Sequence, residues 1–175
     1  MAKPQVGILM GSDSDLGVMK DAASILDELK IPNEIVILST HRAPEETAKY
    51  AKDARSRGIK VIIAGAGGAA ALPGSIASLT PLPVIGVPIT TKSLEGLDSL
   101  LSMIQMPPGV PVATVGINSA KNAGLLAVQI IGVGDSKANQ KVTIFKQKIK
   151  LEVVTKNKKL QSLGVQKYLK DKLSK

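Results

Sequence analysis

The chain has 175 residues, 44% hydrophobic and only 2% aromatic, with no cysteine and a formal net charge of +9. Such length and apolar content suit one domain with a three-layer core and exclude a disordered chain; the lack of cysteine excludes disulfides and thiolate metal sites and fits a reducing compartment. No run approaches ~18 uninterrupted apolar residues, so no membrane span is expected, and strand-like sequence from Gln5, without signal-peptide regions, points to a cytoplasmic protein.

Gln5 to Met10 reads as a strand, closed by Gly11-Ser12-Asp13-Ser14-Asp15. Over Leu16 to Lys30 the apolar residues Val18, Met19, Ala22, Ile25, Leu26 and Leu29 share one helical face. Ser12, Ser14 or Asp15 can cap its first amides, and Pro32 lies just beyond its end. A second strand covers 33–38; its run Ile35-Val36-Ile37-Leu38 is rich in β-branched residues and reads as buried. Helix 44–57 follows, with Pro44 suited to the first helical position and Gly58 as the stop. Glu45 and Glu46 complement the positive end of its dipole. Lys60 to Ala64 is a third strand, leading into a Gly/Ala-rich loop over 65–74. Pro83 to Val87 reads as a fourth strand, Ser93 to Met103 as a helix, Val110 to Val115 as a fifth strand, and Ala120 to Ile131 as an apolar helix.

Strands alternating with helices of roughly 10–15 residues indicate βαβ units with right-handed crossovers. The fold class is α/β: a three-layer, doubly wound parallel sheet of flavodoxin-like or Rossmann-like kind, with a C-terminal helical extension. The division expected is an α/β catalytic domain over 1–134 and a Lys-rich helical extension over 135–175. Residues 1–135 carry 11 Lys or Arg against 12 Asp or Glu, whereas 136–175 carry 12 lysines against Glu152 and Asp171. The positive charge belongs to the tail alone. There Val142, Phe145 and Ile149 recur at helical spacing, and a second helix is expected over roughly 157–173. Phe145 and Tyr168 are its only aromatics, so the tail reads as a solvated helical extension packed on a subunit rather than a nucleic-acid binder.

Three strands end at 11–15, 39–43 and 65–74, and in a parallel sheet those ends share one edge, where open α/β folds place their ligands. The first loop offers hydroxyls, a carboxylate and a helix N-terminus, which suit phosphate and ribose, although the same residues also serve as plain caps. The second, Ser39-Thr40-His41-Arg42-Ala43-Pro44, holds the only histidine of the chain beside a fixed cation. Imidazole can accept and return a proton near neutral pH, and guanidinium presents a planar donor fork to phosphate. The third loop contains Gly65-x-Gly67-x-x-Ala70, but the confirming acid about 20 residues later is missing, so a dinucleotide site is disfavoured. Its glycines can equally serve close helix–sheet packing. What it offers chemically is a small, apolar, amide-lined space. Metal catalysis is not expected from one histidine, no cysteine and scattered carboxylates.

Four stretches in this order carry a resemblance: Gly-Ser-Asp-Ser-Asp at 11–15, Ser-Thr-His-Arg-Ala-Pro at 39–44, Gly-Ala-Gly-Gly-Ala-Ala at 65–70 and Gln-Met-Pro-Pro-Gly-Val-Pro-Val at 105–112. From about Val6 to Ile131 the chain resembles the catalytic subunit family of phosphoribosylaminoimidazole carboxylase, in particular its bacterial branch of 5-(carboxyamino)imidazole ribonucleotide mutases. The resemblance implies a cytoplasmic purine-biosynthesis isomerase that moves a carboxylate from the exocyclic nitrogen to ring carbon 4, with no metal or organic cofactor. It implies a proton-shuttling role for His41, phosphate contacts for Ser12, Ser39 and Arg42, and a ribose contact for Asp15. The loop 65–72, including Gly67, Gly68, Ala69, Ala70, Ala71 and Leu72, would surround the migrating carbon dioxide. Met106 and Pro107 would close the site from a neighbouring subunit of a homo-oligomer, by resemblance an octamer. Helix 120–131, apolar on nearly every side, independently suits burial in an assembly. The partners implied are a small ribonucleotide substrate and further copies of the chain, with neither nucleic acid nor membrane.

One position departs from the family pattern. The third loop there reads Gly-Gly-Ala-Ala-His-Leu-Pro-Gly, and here Ala71 takes the place of the histidine. The alternatives left open are direct carboxylation of aminoimidazole ribonucleotide and a catalytically impaired nucleotide-binding homologue.

Overall fold

The structure is a computed structural model that describes residues 3–173. Strands β1 (Val6–Met10), β2 (Asn33–Ile37), β3 (Val61–Ala66), β4 (Val84–Pro88) and β5 (Ala113–Thr114) form one parallel sheet in the order β2-β1-β3-β4-β5. Helices α1 (Leu16–Glu28) and α5 (Ala120–Gly132) cover one face, and α2 (Pro44–Asp53), α3 (Leu72–Ala77) and α4 (Leu97–Ile104) the other. This is the doubly wound three-layer arrangement read from the sequence. Strand residues alternate between the layers: Leu9, Ile62 and Ala64 join Tyr50, Ile76 and Met103 in one core, while Met10 and Gly65 pair in register facing α1. On that second face α1 and α5 approach closely, because a β-carbon on Gly124 would stand 2.4 Å from Ile25 Cγ2.

Several elements differ from the sequence reading, each for a physical reason. The run Ile35–Leu38 is buried on one face only: β2 is an edge strand, Val36 and Leu38 pack partly buried against the core, and Ile35 and Ile37 remain 41% and 52% exposed. β-Branched composition reports a preference for pleated backbone, not a position within the sheet. Helix α2 ends at Asp53, and Gly58 closes a turn in which its amide donates to Arg55 O and the Ile59 amide donates to Ala54 O. Gly58 has φ +101°, so this is a Schellman-type stop. Glu95 and Gly96 both have positive φ, which delays α4 to Leu97. Pro111 lacks an amide for the ladder, and β5 shrinks to two residues. Residues 72–77, not read as a helix from the sequence, form α3 with proline in its first turn, where an amide is dispensable.

A polar tie holds α2 onto the edge strand. Tyr50 of α2 donates its phenolic hydroxyl to Glu34 of β2 at 2.7 Å. Arg57 also pairs with Glu34 and stacks its guanidinium 4.6 Å from the Tyr50 ring centre. Burial, then the neighbouring Glu34 carboxylate, pushes the Tyr50 hydroxyl well above its ordinary pKa, so it stays a donor. A β-carbon on Gly7 would lie 2.2 Å from that hydroxyl, so only glycine fits beneath it. The two elements flanking the His41 loop are thereby fixed to one another.

Compact units divide at Asn139/Gln140, inside the helical span α6 (Ser136–Leu173). Within that span the break falls at Gly164 (φ 71°, ψ 163°), later than the start near 157 expected from the sequence. Lys159 pairs with Asp171 across the break. A straight helix would separate residues twelve apart by about 18 Å, so the chain reverses at Gly164. Ile149, one of the three apolar tail residues at helical spacing, is 43% exposed in the single chain. No helix of the described residues is long and apolar enough to cross a membrane.

Candidate active site

Chain order sends β2 to one side of β1 and β3 to the other, which opens a crevice at their carboxyl ends. A cleft of about 400 Å³ lies there. It gathers nine of the residues expected from the sequence: Ser12 and Asp15 after β1, Ser39, His41 and Arg42 after β2, and Gly67, Ala70, Ala71 and Leu72 after β3. Gly68, Ala69, Met106 and Pro107 do not line it in the single chain. Met106 instead covers α3, where a β-carbon on Gly74 would come within 3.0 Å of its Cε. Gly11, Ser14, Thr40 and Ala66 line the cleft in addition. All four sit inside the motifs already quoted; glycine and alanine carry no polar side chain, so nothing in the sequence singled out Gly11 and Ala66.

Arg42 joins two loops. Its Nη2 donates to the Gly11 carbonyl at 2.5 Å and its Nε to Ser39 Oγ at 3.4 Å. The Arg42 and Ala43 amides both donate to the Ser39 carbonyl, at 3.2 and 2.8 Å, which folds the loop tightly before α2. Among the described residues no carboxylate pairs with Arg42, so its charge is unneutralised and its other guanidinium N–H groups can serve an anion. His41 is exposed, and its imidazole makes no hydrogen bond among the described residues. It is free to meet a reacting group.

Contrary to the sequence reading, no side chain of the first loop caps α1. A 3-10 turn over Asp13–Asp15 intervenes, and Ser12 Oγ accepts from the Ser14 amide at 3.3 Å. Asp15 stands at the start of α1 without a side-chain cap bond and instead accepts from Ser14 Oγ at 3.1 Å. Burial, opposed by this bond and reinforced by the Asp13 charge, raises the Asp15 pKa above its ordinary value. A raised carboxyl favours the protonated fold, so its stability contribution is lost as pH rises through the folded-state pKa. Asp15→Asn is therefore expected to melt higher than the parent at about pH 7, with the gap closing toward about pH 4. Melting curves at the two pH values check this; a lower melting temperature at neutral pH would contradict it.

No group of three His, Cys, Asp or Glu side chains suited to a metal occurs among the described residues. The donor set is one of hydroxyls, one carboxylate, one guanidinium and one imidazole, facing an Ala/Gly/Leu wall. Such an arrangement can hold a phosphorylated polar ligand and pass a proton to or from it.

Sheet order and cleft together define a doubly wound α/β protein with a switch-point ligand site. The chain belongs to the AIR carboxylase family, whose profile matches residues 5–152. Among curated proteins it is similar to the N5-carboxyaminoimidazole ribonucleotide mutase of Thermotoga maritima, 58% identical over 97% of this chain and 99% of that protein. The mutase of Pyrococcus horikoshii is 59% identical over 97% and 96%. The phosphoribosylaminoimidazole carboxylase of Saccharomyces cerevisiae is 54% identical over 98% of this chain, which spans 30% of its length. Among solved structures, that of Treponema denticola PurE superposes with a TM-score of 0.82 at 31% identity, covering 90% of this chain and 98% of that one.

Proposed function

We propose that the chain is an N5-carboxyaminoimidazole ribonucleotide mutase of purine biosynthesis, as its near full-length relatives are named. The observation that carries this reading is the gathering of His41, Arg42, Ser12 and Asp15 with the Ala70–Leu72 wall in one cleft. Arg42, Ser12 and Ser39 hold the substrate phosphate, and Asp15 the ribose. Protonation at the exocyclic nitrogen breaks its bond to the carboxylate and releases carbon dioxide inside the cleft. Ring carbon 4 then attacks that carbon dioxide and afterwards gives up its own proton. The proton delivered to nitrogen and the proton taken from carbon balance, so His41 alone can carry both. The apolar third loop keeps water away from the trapped gas.

Incubation with the carbamate substrate in bicarbonate-free buffer is expected to yield 4-carboxy-5-aminoimidazole ribonucleotide. Product formed only from aminoimidazole ribonucleotide plus carbon dioxide would establish the carboxylase reading instead, and no product from either would leave a nucleotide-binding homologue.

The reading extends to a cytoplasmic homo-octamer in which Met106 and Pro107 of one subunit close the cleft of another. The exposed Leu97, Leu101 and Ile104 of α4, which leads directly into Met106, form an apolar row suited to burial between copies. Sedimentation at micromolar concentration is expected to show an assembly near eight times 18.2 kDa; a stable monomer would overturn it.

A further inference from the structure

Ser99 lies on α4, outside the cleft, and is completely buried. Buried hydroxyls need partners, and this one has two on separate segments. Its Oγ donates to the Ile89 carbonyl at 2.8 Å and accepts from the Gly68 amide at 3.0 Å. Gly68 is 31 residues away in sequence and opens the turn behind the apolar wall of the cleft. That turn is closed by the Ala70 amide donating to the Gly67 carbonyl at 3.2 Å, with left-handed φ of +64° at Gly68 and +43° at Ala70. Because a trans peptide is planar, holding the Gly68 N–H outward aims the Gly67 carbonyl the opposite way, into the turn. The neighbouring backbone rests on the same support: a β-carbon on Gly67 would stand 3.3 Å from Thr91 Cγ2, and Thr91 Oγ1 is held by Asp98 at 3.0 Å. Left-handed conformations at a non-glycine residue such as Ala70 persist only where the surroundings over-determine them.

We propose that Ser99 is a positioning residue for the carboxylate transfer: its hydroxyl fixes the Gly67–Ala70 turn and so keeps the cleft wall closed around carbon dioxide. This rests on the mutase reading given above. It acts through the Gly68 peptide and touches no substrate. Without the hydroxyl, the Gly68 amide and Ile89 carbonyl both lose a buried partner and the turn loosens. Carbon dioxide then escapes before ring carbon 4 recaptures it.

The test compares Ser99→Ala with the parent and with Ile59→Val, a buried core change at the opposite end of β3. Amide exchange in the whole protein is expected to speed up about tenfold or more at Gly68 in Ser99→Ala and to stay at the parent rate in Ile59→Val. In turnover, Ser99→Ala is expected to lower kcat about tenfold with KM near the parent value. It should also raise the fraction of carbamate released as free aminoimidazole ribonucleotide. A mere loss of stability, as in Ile59→Val, leaves that partition unmoved. Unchanged Gly68 exchange in Ser99→Ala overturns the proposal whatever the activity. Faster exchange with an unchanged partition overturns the positioning role. Should the parent itself not turn over, the mutase reading falls, and the exchange result alone decides whether Ser99 holds the turn.

Discussion

His41→Asn is expected to abolish carboxylate transfer while leaving the protein folded. Asparagine keeps hydrogen-bonding capacity at this position but carries no proton at neutral pH. General acid–base assistance is worth about 10²–10⁴-fold, and in the proposed mechanism one group serves both the nitrogen and the carbon, so the loss belongs at the upper end. The fold is spared because His41 is exposed and bonds to nothing among the described residues. Substitutions of that kind stay within about 0.5 kcal/mol. Arg42→Ala separates the two roles. It removes a charged donor and also the bridge from Arg42 to the Gly11 carbonyl, so it should raise KM about 10–100-fold, the scale of a lost charged hydrogen bond. Single-turnover assays with melting curves read both variants. A His41→Asn rate within threefold of the parent would assign the proton to another group.

Ala71→His is expected to raise the transfer rate by about 100-fold. Ala71 lines the cleft at the start of α3, with Leu72 and Pro73 following as the first helical residues. A side chain grown from it extends from the apolar wall that would surround the carbon dioxide. An imidazole there can donate a hydrogen bond to the carboxylate as it leaves nitrogen and returns at carbon. Such a bond accelerates the reaction only if it is stronger in the transition state than in the bound substrate. The residue is half-buried with helical backbone angles (φ −72°, ψ −18°), so histidine is accommodated without backbone strain. Single-turnover transfer in the two proteins, compared at equal substrate affinity, checks the expectation. Equal rates would assign the second imidazole of the family pattern a shaping role only.

Part of the cleft was legible because its motifs are local. Gly-Ser-Asp-Ser-Asp, Ser-Thr-His-Arg-Ala-Pro and the Gly/Ala run each follow an apolar strand, and a parallel sheet necessarily brings such ends to one edge. Nine of the thirteen expected residues accordingly meet in one cleft. Met106 and Pro107 do not, since nothing within a single chain carries them there. Ser99 gave no signal at all. A serine in the first turn of a helix resembles any other, and only the packing of α4 behind the third loop gives it Gly68 as a partner.

The sequence by itself determined the alternation of strands and helices, the parallel sheet, the positions of the three loops and the concentration of positive charge in the tail. These follow from periodicity, turn residues and composition, all of which act over a few neighbouring residues. Tertiary structure alone decided that β2 lies at an edge with Ile35 and Ile37 exposed, that Tyr50, Glu34 and Arg57 tie α2 to it, and that the tail reverses at Gly164. It also decided that Arg42 spans to Gly11 and that Ser99 holds the Gly68 turn. Each of these depends on which element becomes whose neighbour, a choice made by burial and hydrogen-bond satisfaction across the whole fold rather than by any local stretch of chain.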